Sequence, residues 1–161
     1  MIQFSYPIKL SIFALRISIG WLMFYAGITK ILNPAWSAAG YLNSAKTFPE
    51  FYIWLTTPAI LPITNLINEW ALTLLGVSLI LGIFVRLSSL GGALLMILYY
   101  FPILTFPTVK TTAFIVDEHI IYALVFLFFA AVRAGRIWGL EHWCGQLPLC
   151  SRFRALRAML G

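Results

Sequence analysis

IVDEHIIYALVFLFFAAVRAGR, Ile115 to Arg136, is the stretch on which the fold turns. It opens on three ionisable residues, Asp117, Glu118 and His119. It then runs uncharged from Ile120 to Val132 and closes on Arg133 and Arg136. Asp117 to Arg133 is about 17 residues, which at the rise of an α-helix is roughly 25 Å, close to the thickness of a hydrocarbon core. The stretch reads as a membrane-spanning helix with an acidic and imidazole end and a basic end.

Composition agrees. The chain has 161 residues, of which 61% are hydrophobic and only 10% charged. Soluble domains carry near a quarter charged residues, so the class is integral membrane. The length suits one domain of about four spans. The fold class expected is all-α: an integral membrane four-helix bundle with a surface-lying loop between helices 1 and 2 and an amphipathic tail. The net charge of +6 does not point to nucleic acid, because the basic residues are scattered at span ends and in the tail. The N-terminal apolar run, Leu10 to Leu32, is longer than the core of a signal peptide and reads as a retained anchor.

Working outward gives spans at about 8–32, 61–85, 90–106 and 115–133. Asn33-Pro34 ends the first, because proline disfavours helix in the residue before it. The segment 34–58 is rich in Trp and Tyr and is expected to form one or two short interfacial helices, interrupted at Pro49. Arg86 ends the second span, and Leu87-Ser88-Ser89 makes a short turn to the third. Residues 106–113 form a loop, and 134–161 a tail.

Four spans put Lys9, Arg86, Arg133, Arg136, Arg152, Arg154 and Arg157 on one side of the membrane. Lys30, Lys46 and Lys110 fall on the other. The excess places both termini in the cytoplasm, and the protein in the cell membrane as a multi-pass chain.

Polar residues inside the spans are the candidates for function. Arg16, Gly20, Met23, Gly27 and Lys30 share one face of the first span, and Asn65, Glu69, Thr73 and Gly76 share one face of the second. The two glycines of the first stripe admit a close neighbour helix. Arg16 and Glu69 are costly in lipid unless paired, so an Arg16–Glu69 ion pair inside the bundle is one reading. The plainer one has Arg16 snorkelling to headgroups and a protonated Glu69 bonded to Asn65 or Thr73. A third gives Glu69 a proton-relay role.

At the other site Asp117 suits an N-cap and Glu118 the first helical turn, which explains both without function. His119 is left over, and imidazole exchanges protons near neutral pH. Tyr122 lies one turn further along, and Lys30 at the same membrane level. With the aromatic loop they would make a pocket at headgroup depth, where a quinone ring would sit. The plain alternative is a capped helix end.

Haem is not expected. The two histidines, His119 and His142, fall on opposite sides of the membrane. No metal is expected either, since Glu141, His142, Cys144 and Cys150 do not have a zinc-finger spacing. The tail reads as an amphipathic surface helix, with Phe153, Leu156 and Leu160 inward and its arginines on lipid phosphates.

Four pieces carry a resemblance: ALRISIGWLMFYAGITKIL, NPAWSAAGYL, NEWALTLLGVSLILGIFVRLSSLGG and VDEHIIYALVFLFFAAVRAGRIWGLE. In order and spacing they resemble the DoxX/DoxD family of small four-span membrane proteins, over roughly Leu10 to Trp143. The resemblance implies a four-helix transmembrane bundle. It implies a link to redox complexes, since DoxD proteins are subunits of thiosulfate:quinone oxidoreductase. The positions it carries over are Arg16, Gly27 and Lys30, Glu69 and Arg86, and Asp117 and His119.

Two functions are then expected, ahead of a small transporter or lipid-binding protein, against which the lack of a second intramembrane acid beside Glu69 counts. The first is a membrane subunit of a quinone-linked oxidoreductase, with Lys30, His119 and Tyr122 holding or protonating the quinone and Asp117, Arg16 and Glu69 supporting them. The second is a non-enzymatic scaffold or assembly factor for a soluble redox partner. Membrane lipid, a redox partner protein or further copies of the chain are the expected partners.

Overall fold

The computed structural model describes residues 4–110 and 113–141. The expected tail helix, with Arg152, Arg154, Arg157, His142, Cys144 and Cys150, lies outside the described residues.

Among the described residues six α-helices follow one another: α1 (Tyr6–Ile31), α2 (Ala39–Asn43), α3 (Pro49–Leu55), α4 (Leu61–Leu81), α5 (Val85–Ile103) and α6 (Glu118–Val132). A small antiparallel hairpin, β1 (Thr108–Lys110) with β2 (Ala113–Phe114), links α5 to α6 in place of the expected loop. The long helices form two closely packed pairs, α1 with α4 and α5 with α6.

The α1–α4 pair is close because of glycine. A Cβ at Gly27 would fall on the backbone of Thr73, and one at Gly76 on that of Phe24. Gly20 meets Leu79 and Ile80. The stripe of Arg16, Gly20, Met23 and Gly27 is buried, and it is the face that α4 covers. Small residues let helix backbones approach without a water-driven hydrophobic term.

The contacts run antiparallel: Gly20 opposite Leu79, Phe24 opposite Gly76, Gly27 opposite Thr73. This register overturns the Arg16–Glu69 pair. Glu69 lies one turn beyond Thr73, near the level of Lys30, which is 14 residues and about 21 Å along α1 from Arg16. Arg16 meets Gly82 instead, at the far end of α4.

The turn from α4 to α5 also differs from expectation. Gly82 ends α4 in the left-handed conformation, at φ 67°, which closes a helix at little cost to glycine. Arg86, Ser88 and Ser89 are therefore inside α5. Serine is tolerated there because Ser88 donates to the Val85 carbonyl and Ser78 Oγ meets Ser88 Oγ at 2.6 Å.

α5 and α6 are antiparallel too. Tyr99 meets His119 at one end, and Gly92 faces Phe126 further in. Met23, Leu72, Leu79, Met96, Phe126 and Phe129 are core residues. The outward faces are apolar: Trp21, Leu66, Leu74, Leu94, Leu124 and Leu127 are all exposed. A face of that extent is a liability in water and ordinary in lipid. α1, α4 and α5, at 26, 21 and 19 residues, are long and apolar enough to cross a membrane. α6 has 15 residues, about 22 Å, because Asp117 caps it and Arg133 turns left-handed at φ 54°.

α2 and α3 fold over one end of the bundle, with Pro49 opening α3. They complete hydrogen bonds that α5 leaves open. Pro102 has no N–H for the Leu98 carbonyl, and Tyr52 Oη donates to that carbonyl at 2.9 Å. Tyr41 Oη donates to the next carbonyl, that of Tyr99, and Thr47 Oγ1 to that of Leu104. This end also holds Lys30 and the start of α6. The opposite end holds the α4–α5 turn, the start of α1 and the segment after α6, where the Tyr6 ring packs on Trp138 with centroids 5.6 Å apart.

Candidate functional site

Beneath α2 a cavity of about 290 Å³ lies where α1, α4, α5 and α6 come together. Lys30, Trp36, Tyr41, Asn68, Tyr99 and His119 bring its polar and aromatic groups.

Lys30 arrives at the last turn of α1. Its Nζ donates to Asn68 Oδ1 at 2.7 Å. It sits 4.7 Å from the Trp36 ring centroid and 5.6 Å from that of Tyr99. Two aromatic faces and one amide oxygen thus hold the ammonium, with donors to spare. Asn68 Nδ2 donates in turn to Tyr99 Oη. Glu69 does not line the cavity, and its charge acts on Lys30 from alongside.

His119 arrives in the first turn of α6. Asp117 is the N-cap, its Oδ1 accepting from the backbone N–H of His119 at 3.0 Å and of Ile120 at 3.3 Å. Its Oδ2 lies 2.6 Å from His119 Nδ1. Asp117 is 5% exposed, so this pairing is shielded from water. One carboxylate therefore caps the helix and fixes the imidazole. With Nδ1 engaged, Nε2 is the nitrogen left for a ligand. The ring meets Tyr99 edge-on, with centroids 6.1 Å apart. Donor atoms of Asp117, Glu118 and His119 lie within 4.8 Å of one another, but both Asp117 oxygens already have these partners.

Above them, Asn65 Oδ1 accepts from the Ala38 N–H at 3.0 Å, which ties α2 to α4. Burial first, then the charges of Tyr52, Asp117 and Glu118, push the Tyr41 phenol up to about 12. Tyr41 therefore stays a neutral donor at the cavity edge.

Of the residues singled out in the sequence, Lys30, Asp117 and His119 come together here. Tyr122 does not line the cavity and packs against the main core. Arg86 is exposed at the other end, in the first turn of α5. Asn68, Tyr99, Trp36 and Tyr41 are additions. Their signal was spacing: Asn68 is one residue from Glu69, and Tyr99 falls in a polar-tipped Tyr99-Tyr100 pair inside an apolar run.

Arg16 belongs to a second polar cluster at the opposite end. It is fully buried, and it donates from Nη1 to the Ala134 carbonyl at 3.0 Å and from Nη2 to that of Trp138 at 3.4 Å. Glu141 is its counter-charge, not Glu69. Glu141 Oε1 accepts from the Val85 N–H at 2.7 Å, and the Glu141 N–H donates to the Gly82 carbonyl at 2.9 Å. Burial pushes the Glu141 carboxyl up to about 7, against the lowering pull of the Val85 N–H, Arg136 and Arg16. The cluster fastens the segment after α6 to the α4–α5 turn.

No curated protein and no solved structure matches the chain. A model of the DoxX family matches residues 11–105. The match takes in Arg16, Gly20, Gly27, Lys30, Glu69 and Arg86, and ends before Asp117, His119 and Tyr122. With more than half of its length matched and three helices long and apolar enough to cross a membrane, the chain is a membrane protein and belongs to the DoxX family.

Proposed function

We propose that the protein is a membrane subunit of a quinone-linked oxidoreductase, and that the cavity between Lys30 and His119 receives the quinone ring. The observation that carries this reading is the convergence of a lysine ammonium and an aspartate-held imidazole in one aromatic-walled cavity. The fit is chemical. A quinone offers two carbonyl oxygens and a flat ring. Lys30 offers N–H donors, and His119 offers Nε2, which donates when the ring is protonated. Trp36, Tyr41 and Tyr99 offer faces and edges for stacking. At about 290 Å³ the space suits a ring headgroup.

A bound quinone supplies two-electron chemistry, with electrons from a donor protein at the membrane surface. Lys30 would hold one carbonyl by charge-assisted hydrogen bonding. His119 would present a proton at Nε2, and the Asp117 carboxylate at Nδ1 would steady the charged ring. Tyr99 and Asn68 keep the lysine in place. Thiosulfate oxidation is one reaction such a subunit serves.

The test is a mass spectrum of the lipid extract of purified protein. A quinone should copurify, and His119→Ala and Lys30→Ala should each lose it about tenfold or more. A preparation free of quinone that binds none when it is added would sink the proposal.

α6 completes a four-span arrangement in this reading, with both termini cytoplasmic and the cavity facing outward. Membrane-impermeant thiol reagent applied from outside should label Lys110→Cys and leave Cys150 untouched. The reverse pattern would invert the topology.

A further inference from the structure

A long apolar groove of about 620 Å³ runs between α4 and α5. The two helices are joined by a three-residue turn, yet each packs chiefly on another partner. Leu75 lies over Gly92 and closes the floor, while Gly91 faces open space. The only polar side chains in the lining are Ser78 and Ser88, and these are bonded to each other. The groove therefore offers nothing to a polar ligand.

Its outer end points to an occupant. Ile67 and Leu98 line the groove, while the next residue on each helix, Asn68 and Tyr99, lines the cavity. Thr64 in the cavity and Ala71 in the groove are seven residues apart, on one face of α4. A polar ring site thus lies beside the head of an apolar trough, one residue along each helix from it. From Ile67 to Ser78 the trough follows α4 for about 16 Å.

We infer that the groove holds the isoprenoid tail of the ligand whose ring lies between Lys30 and His119. The inference rests on the quinone reading above. The tail would lie along Ala71, Leu95 and Gly91, toward Phe84.

Two probes test it on the full chain in detergent, by quenching of tryptophan fluorescence: a dimethoxy-methyl-benzoquinone without a tail, and the same ring with a decyl chain. Gly91→Leu and Ala71→Phe each fill the groove from its rim. Each should weaken the decyl ligand about tenfold and leave the tailless ring unchanged. His119→Ala should weaken both alike. If Gly91→Leu spares the decyl ligand, or weakens both equally, the tail lies elsewhere and the inference fails while the ring site stands. If the wild-type chain binds neither probe, the ring site fails and takes the inference with it. A disulfide between copies through Gly91→Cys would make the groove a self-interface and overturn it as well.

Discussion

Glu141→Ala should destabilise the protein by about 1–3 kcal/mol, the cost of leaving a buried N–H without its acceptor. Glu141 is 4% exposed and answers two needs. Its Oε1 accepts from the Val85 N–H at the start of α5, and its charge opposes that of fully buried Arg16. Alanine would leave that N–H without an acceptor and remove the counter-charge, while Arg16 keeps the Ala134 and Trp138 carbonyls. Glu141→Gln separates the two roles, because an amide oxygen still accepts from Val85 but carries no charge. The glutamine variant also gives a sign for pH. Burial raises the Glu141 carboxyl from 4.5 to about 7 in the folded protein. The folded state then binds more protons than the unfolded one between those values. Stability should fall as pH rises from about 4.5 to about 7, and level off above. Thermal unfolding in detergent across that range should show this slope in the wild type and lose it in Glu141→Gln. An alanine variant as stable as wild type would mean that the segment after α6 is not fastened through this carboxylate.

That carboxylate was not legible in the sequence, where Glu141 counted only as a tail residue beside His142 and Cys144. Arg16 was legible as a buried charge, because it breaks an apolar run on the glycine face of α1. Its partner was not, since pairing depends on the helix register. That register comes from the interdigitation of Gly20, Gly27 and Gly76, and composition cannot supply it. The α4–α5 turn was misplaced for a related reason. Leu87-Ser88-Ser89 carries turn residues, but Ser88 satisfies its hydroxyl inside the helix, and Gly82 takes the left-handed position. The polar end of α6 was read more fully. The Asp117 cap follows from residue type and place, and His119 stood out because capping left it unexplained. Lys30 was placed at its level by counting residues. Asn68 and Tyr99 escaped because they are neutral, and only the folded α4–α5 pair sets their hydrogen bond beside the lysine.

On the proposed function, Asp117→Asn should leave the fold nearly intact and cut quinone reduction by about tenfold or more. The separation follows from the two oxygens. Oδ1 caps α6, and an asparagine oxygen caps about as well, so the melting temperature should move little. Oδ2 faces His119 Nδ1 at 2.6 Å, and there asparagine would present an N–H in place of an acceptor. A neutral imidazole would then turn its lone pair to Nδ1 and keep its proton on Nε2, while the protonated ring would lose the carboxylate that steadies it. Proton delivery at Nε2 should suffer more than ring binding, so the loss should appear in turnover with the donor partner and less in the dissociation constant. Asp117→Ala removes cap and acceptor together. It should cost about 1 kcal/mol of stability in addition to the same functional loss. If the asparagine variant reduced quinone as fast as wild type, Asp117 would be a helix cap alone, and His119 would owe its proton chemistry to another group. A dissociation constant and a turnover rate measured on the same three proteins decide between these outcomes.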